Sequence, residues 1–325
     1  GKTEFAFLWG SGEKFFYTLP LRSAVNQIYE RAKRIFEEEK VGLLHSDADV
    51  FLLGDGGEEQ ANMRAYDLAR QLAFPVIIAT GDQFFPYALR PPGYEKIYAT
   101  FSYARLIVDE IQAYDPRAAA IIVQFIEHVV WMGGKFLLMT ATLPEFVRKE
   151  LKKSLGKEGF TEVNLYKEKQ NDFQNIRKHR LEIRLIENER QDKRIDFSLP
   201  DAELDEILRR ARAGDRVLVI ANTVRQAQDI YLRLKDRMGR DERLWLLHSR
   251  FTLADRAKKE EILEQEFRNP KPAEEREGKI LVATQVVEAS LDIDADVLFT
   301  EVAPLDALVQ RMGRVWRRYG PMRSP

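Results

Sequence analysis

Five stretches of the 325-residue chain place chemically capable residue types at telling spacings. The chain opens Gly1-Lys2-Thr3-Glu4. Gly-Lys-Thr is the tail of a phosphate-binding loop. There, backbone N–H groups cradle phosphate, the lysine reaches the β- and γ-phosphates and the threonine hydroxyl binds Mg²⁺. The leading glycines of that motif are missing, so the sequence is expected to begin inside the loop, without the strand before it. Leu106-Ile107-Val108-Asp109-Glu110-Ile111-Gln112 delivers two adjacent carboxylates to the end of an apolar run. Asp109 can hold Mg²⁺, and Glu110 can orient and deprotonate an attacking water; a strand followed by a polar turn is the plainer alternative. Met139-Thr140-Ala141-Thr142-Leu143-Pro144 follows another apolar run. Its hydroxyls can bond the carboxylate motif, or simply cap a helix. Gln310-Arg311-Met312-Gly313-Arg314 would place Arg311 and Arg314 on one helix face, able to neutralise a transferring phosphoryl group or to serve as a solvated basic helix end. Finally, Ile280 to Gln285, running on to Glu288 and Asp292, reads as a buried strand and a polar loop.

These residues need a scaffold, and the chain supplies one. Apolar, β-branched runs predict strands at Val41–His45, Pro75–Thr80, Leu106–Glu110 and Lys135–Thr140. A second series follows at Arg216–Asn222, Leu244–His248, Lys279–Thr284 and Asp296–Glu301. Consecutive apolar positions, as in Val217-Leu218-Val219-Ile220, suit parallel strands covered on both faces. Helix-period segments lie between them at Ser23–Lys40, Pro116–Met132, Asp201–Ala213, Thr223–Met238 and Thr252–Phe267. The alternation predicts an α/β fold of two doubly wound parallel-sheet domains, spanning 1–190 and 191–325, with Leu181–Ile186 as a bridging strand. Such sheets bind ligands at the carboxyl ends of their strands.

Composition narrows the function classes. A hydrophobic fraction of 45% with 32% charged residues is ordinary for a globular protein, and excludes disordered and collagenous classes. Cysteine is absent, which excludes disulfides, thiolate zinc sites and a Cys nucleophile. Lys+Arg 51 against Asp+Glu 52 leaves a net charge of −1, so a nucleic-acid surface must be local. No membrane span or signal peptide is visible, and the cytoplasm is the expected compartment.

The order of the five stretches resembles a superfamily 2 helicase motor, in which two RecA-like domains hold ATP. Narrower still, Asp109-Glu110-Ile111-Gln112-Ala113-Tyr114-Asp115, Leu247-His248-Ser249-Arg250-Phe251-Thr252, Val219 to Val224 and Ala283 to Asp292 resemble blocks of the CRISPR-associated helicase-nuclease of type I systems. The resemblance implies an ATP- and Mg²⁺-dependent motor on single-stranded DNA, recruited by the Cascade surveillance complex. It implies phosphate and metal binding by Gly1, Lys2, Thr3 and Asp109, and general base catalysis by Glu110. Arg311 and Arg314 become arginine fingers, Gln112, Asp292 and Gln310 nucleotide contacts, and Thr140 and Thr142 coupling residues. Expected DNA contacts are Pro20, Arg22, Thr80, Gly81, Asn222, Thr223 and Thr284, mostly to phosphate. Another RNA or DNA-repair helicase, or a non-catalytic DNA-binding fragment, is the alternative.

Departures from the family pattern carry expectations too. Gln112 stands where the family usually has His, and Leu21 where such motors often have Thr. The family's nuclease needs His-Asp ligands, yet none of the four histidines (His45, His128, His179, His248) precedes an Asp. The nuclease is therefore expected on a separate domain or subunit. The family's C-terminal accessory domain is likewise expected elsewhere.

Overall fold

The computed structural model describes residues 2–54, 59–156, 159–168, 179–186, 199–239, 243–269, 271–272, 275–288 and 291–316. The chain divides into two compact units, Gly1–Val163 and Asn164–Pro325. Gly1 itself and the expected boundary at 190 fall outside the described residues.

The first unit runs α1 (Lys2–Gly10), β1 (Phe15–Leu19), α2 (Arg22–Phe36), β2 (Val41–Leu44), α3 (Ala48–Gly54), α4 (Glu59–Arg70), β3 (Val76–Thr80), α5 (Tyr94–Phe101), β4 (Arg105–Asp109), α6 (Pro116–Trp131), β5 (Lys135–Met139) and α7 (Glu145–Leu155). Its five strands are ordered β2-β3-β1-β4-β5, all parallel. Strand alternation splits the core into two layers. Phe16, Ile77, Leu106 and Val108 face Tyr98, Phe125, Ile126 and Val147 of α5, α6 and α7. Phe15, Tyr17, Val41, Ile78 and Ile107 face Phe7, Val25, Tyr29 and Leu52 of α1, α2 and α3. The sheet is therefore covered on both faces, as the unbroken apolar runs require. α6 starts where it does because Asp115 accepts from the N–H groups of Arg117 and Ala118, with Pro116 in the first turn. α2 stops at Phe36, short of the expected Lys40, because Glu37 takes φ 70° and leaves the helical region.

The second unit runs α8 (Leu165–Glu168), α9 (Asp201–Arg212), β6 (Arg216–Ile220), α10 (Val224–Met238), β7 (Leu244–Leu247), α11 (Leu253–Glu266), β8 (Lys279–Ala283), β9 (Val297–Thr300) and α12 (Leu305–Met312). The strands are ordered β7-β8-β6-β9, again all parallel. Val217 and Val219 pack toward α9 and α10, while Leu218 and Ile220 pack toward Leu263 of α11 and Phe267. Thr223 caps α10 through Gln226 N, and Thr252 caps α11 through Asp255 N.

Two strands differ from expectation. Leu181–Ile186 joins no sheet; Leu181, Ile183 and Leu185 stand exposed, and Arg184 instead binds Glu182 and Glu203. Its alternating pattern had read as a strand, but no β-ladder partner meets it among the described residues. Phe15–Leu19 is a central strand that periodicity alone had passed over.

Candidate functional site

In the first unit, β4 ends at Asp109 and the chain turns sharply. Glu110 sits at φ 57°, ψ 47°, the left-handed region that costs a non-glycine residue about 1–2 kcal/mol. The turn is held by Glu110 N donating to Met139 O at 3.0 Å, which ties the carboxylate motif to the end of β5. Lys2, at the start of α1, reaches both carboxylates. Its ammonium pairs directly with Glu110 and lies 3.9 Å from Asp109 Oδ1. Lys2 and the Asp-Glu pair, 108 positions apart in sequence at Glu110, thus meet in one place.

Asp109 is 6% exposed. Tyr17 of β1 donates to its Oδ2 at 2.7 Å, and Thr3 lies close to the same phenol. Asp109 Oδ1 is buried with no hydrogen-bond partner. Burial pushes the Asp109 carboxyl above the usual range, although Lys2 and Tyr17 pull the other way. An orphaned, buried carboxylate oxygen with a lysine 3.9 Å away fits a hard divalent cation with oxygen ligands.

Gln112 bridges the next layer. Its amide nitrogen donates to Glu110 Oε2, and its amide oxygen is paired with the Thr140 hydroxyl. Thr142 N donates to Thr140 Oγ1 at 3.1 Å. Glu110, Gln112, Thr140 and Thr142 therefore form one chain of side-chain and backbone bonds. The capping alternative for the threonines does not describe them, because α7 begins after Pro144 with no side-chain cap.

The expected nucleic-acid residues of this unit lie at the carboxyl ends of β1 and β3. Arg22 is exposed and is held by Ser46 Oγ and Asp47. Pro20 is half-buried beside it. Thr80 and Gly81 are buried. A Cβ on Gly81 would come within 2.5 Å of the Phe85 ring and Tyr114 Oη, so packing alone requires glycine there.

In the second unit, Asn222 is a hub. Its N–H donates to Glu301, its Nδ2 to Val302 O at 2.9 Å, its Oδ1 accepts from Arg311 Nη2 at 3.0 Å and its carbonyl from Gln285 Nε2 at 2.9 Å. Arg311 is 1% exposed. It pairs with Glu288 at 2.7 Å and donates to Thr300 Oγ1 and Glu301 O. α12 ends at Met312, so Arg314 lies in the turn beyond it and shares no helix face with Arg311. It donates to the carbonyls of Leu291 and Glu288. Thr223 is exposed at its cap position and Thr284 is buried. Asp292 is exposed and Gln310 half-buried. Sequence reasoning passed over Tyr17, whose only signal was a phenol in an apolar strand. It also passed over Glu301, whose role needs the β6–β9 pairing to be seen.

With this geometry in place, comparison with known proteins is decisive. Residues 1–150 match the DEAD/DEAH box helicase family, and residues 213–320 match the family described as CRISPR-associated nuclease/helicase Cas3, C-terminal. The CRISPR-associated nuclease/helicase Cas3 of Methanothermobacter thermautotrophicus is 34% identical over 328 residues, covering 98% of this chain. The chain belongs to this family. It spans 37% of that relative's length. The crystal structure of T. fusca Cas3 superposes with a TM-score of 0.74 at 23% identity, covering 98% of this chain and 40% of that one. A structure described as a CRISPR RNA-guided surveillance complex, pre-nicking, superposes at 0.62, covering 95% and 40%. The two sheets are tandem RecA-like domains, and the chain carries the helicase part of the family. Among the described residues no helix is long and apolar enough to cross a membrane.

Proposed function

We propose that this chain hydrolyses ATP and uses the energy to move along single-stranded DNA in type I CRISPR interference, after recruitment by the Cascade surveillance complex. The observation that carries the reading is the meeting of Lys2 with both Asp109 and Glu110, beside the orphaned Asp109 Oδ1. Asp109 and Thr3 would hold Mg²⁺, which neutralises charge on the phosphates when bound. Lys2 exchanges its pairing with Glu110 for the phosphates. Glu110, freed of the lysine and still held by Gln112, accepts the proton of the attacking water. Thr140 and Thr142 pass the state of Glu110 along the Gln112 chain toward the end of β5. The tied state of Arg311 supports a positioning role for it, holding Asn222 and Glu288, before any contact with nucleotide. The nuclease step belongs to a separate domain or subunit. The match over both units, including the block from Thr284 to Asp292, speaks against an unrelated RNA or repair helicase.

The test is ATP hydrolysis with and without single-stranded DNA, beside an Asp109→Asn, Glu110→Gln variant. DNA-stimulated turnover that disappears in the variant supports the motor. Turnover equal in both sinks it, and DNA binding without turnover leaves a binding platform.

A further inference from the structure

The two units carry the same four residues at the same place. Leu43-Leu44-His45-Ser46 closes β2, and Leu246-Leu247-His248-Ser249 closes β7. These strands are topological equivalents, because β2-β3-β1-β4 in one sheet reads β7-β8-β6-β9 in the other. Both imidazoles are buried, and each is engaged at both nitrogens. His45 Nδ1 accepts the N–H of Asp47 at 3.2 Å, and its Nε2 lies 2.8 Å from Asn26 Oδ1. His248 Nδ1 accepts the N–H of Arg250 at 3.3 Å, and its Nε2 lies 3.3 Å from the side-chain amide of Gln228. Asn26 and Gln228 are each the fifth residue of the helix that follows the equivalent strand, α2 after β1 and α10 after β6.

A neutral imidazole has one donor nitrogen and one acceptor. Since Nδ1 accepts in both units, the proton sits on Nε2, and Nε2 must donate. It donates to Asn26 Oδ1 in the first unit. In the second it meets the carbonyl end of the Gln228 amide after a half-turn of that group. The ring therefore locks the first turns of the helix to the backbone of the loop two residues past the histidine.

What that loop backbone fixes is an arginine. In the first unit Asp47, with Ser46, holds Arg22. In the second unit the residue at the Asp47 position is itself Arg250, which is exposed and has no ion-pair partner among the described residues. The His248 ring also stacks on Phe251 at 4.2 Å and 8°, with Lys259 at 4.6 Å from that ring's centroid. Arg250 is thus flanked by a fixed backbone on both sides. Arg22, His45, His248 and Arg250 follow the carboxyl ends of β1, β2 and β7, where α/β sheets bind ligands.

We propose that His45–Asn26 and His248–Gln228 form a duplicated latch that positions one arginine per unit, Arg22 and Arg250, against phosphates of the nucleic acid. This rests on the reading of the chain as a DNA motor. The histidines and amides are positioning residues, and Arg250 is a phosphate contact.

The test is ATP hydrolysis by the intact protein, titrated with single-stranded DNA at several salt concentrations. The variants are Asn26→Leu, Gln228→Leu and Arg250→Ala, with Asn26→Asp as the substitution that keeps an acceptor. Asn26 is half-buried and Gln228 exposed, so the fold tolerates both. The leucine variants should raise the half-saturating DNA concentration about fivefold with the maximal rate unchanged, the scale of one lost hydrogen bond. Asn26→Asp should restore it. Arg250→Ala should flatten the slope of log affinity against log salt by about 0.7, one single-strand phosphate. Half-saturation and salt slope equal to the unaltered protein in Gln228→Leu and Arg250→Ala overturn the latch while the motor reading stands. So does a lower maximal rate with unchanged half-saturation. No DNA stimulation in the unaltered protein overturns the motor reading, and the latch with it.

Discussion

The Tyr17 hydroxyl donates to Asp109 Oδ2 across the β1–β4 pair, and this leaves Asp109 Oδ1 as the oxygen without a hydrogen bond. A phenol on the neighbouring strand thereby decides which carboxylate oxygen is available to a cation. Tyr17→Phe keeps the ring and removes only the donor. A hydrogen bond to a charged group is worth about 1.5–3 kcal/mol. The variant should fold, and should need roughly tenfold more Mg²⁺ for half-maximal binding of a nucleotide analogue. Calorimetry at graded Mg²⁺ reads this directly, and an unchanged Mg²⁺ requirement would show that Tyr17 only fills space.

The same carboxylate costs the fold stability. Burial raises the Asp109 carboxyl above its ordinary range. A carboxyl that binds its proton more tightly folded than unfolded disfavours the fold once pH exceeds its folded-state value, and the penalty fades as pH falls through that value. Asp109→Asn keeps an acceptor for Tyr17 and removes the buried charge. It should melt higher than the unaltered protein at pH 7.5, with the gap narrowing toward pH 5. A variant that melts lower at pH 7.5 would mean that Lys2 more than offsets the burial.

Gln112 joins Glu110 to Thr140 without carrying a titratable proton. Gln112→Leu cuts the bridge and leaves Lys2, Thr3 and Asp109 in place. The expected result is analogue binding within about twofold of normal, and loss of most of the DNA-stimulated part of hydrolysis, since the lost bond to the Glu110 carboxylate costs about 1.5–3 kcal/mol along the chain. Equal losses of binding and stimulation would assign Gln112 to the nucleotide instead.

Much of this arrangement was legible in the sequence. Eight of the nine expected strands form within one or two residues of their predicted ends, because runs such as Leu106-Ile107-Val108 can only be buried on both faces. Phe15–Leu19 was not legible, since Tyr17 and Thr18 look too polar for a central strand. Their hydroxyls are satisfied by Asp109 and by the Ile107 carbonyl, partners about 90 residues away. Leu181–Ile186 misled in the opposite direction, because alternation predicts a face but not a partner strand. At the candidate site, Lys2, Asp109 and Glu110 were readable from residue type and order. The left-handed turn at Glu110 and the locked state of Arg311 were not, since both depend on which strands become neighbours.

Acid should weaken the fold through its histidines. Burial lowers the affinity of His45, His128 and His248 for a proton. His45 also faces Arg22, which adds to the effect, and Asp47, Asp82 and Asp49, which oppose it. A histidine whose folded value lies below its unfolded value of about 6.5 contributes stability that is present above pH 6.5 and lost as pH falls through the folded value. The urea midpoint should therefore fall between pH 7 and 5.5. His128→Gln should remove part of that fall; an unchanged slope would place the acid sensitivity elsewhere.

Arg311 has all three nitrogens of its guanidinium engaged, by Glu288, Thr300, the Glu301 carbonyl and Asn222. Removing one partner of a buried ion pair strands the other, at about 3–5 kcal/mol. Arg311→Ala should destabilise the second unit by that amount. Arg311→Lys should recover little, because a single ammonium cannot reproduce the planar fork. Glu288→Gln should cost less, since the amide oxygen still accepts. Urea unfolding followed by Trp245, which lies in that unit, gives the ranking. If Arg311→Ala unfolds at the same midpoint as the unaltered protein while hydrolysis is lost, the guanidinium acts on nucleotide alone and its buried network contributes nothing to the fold.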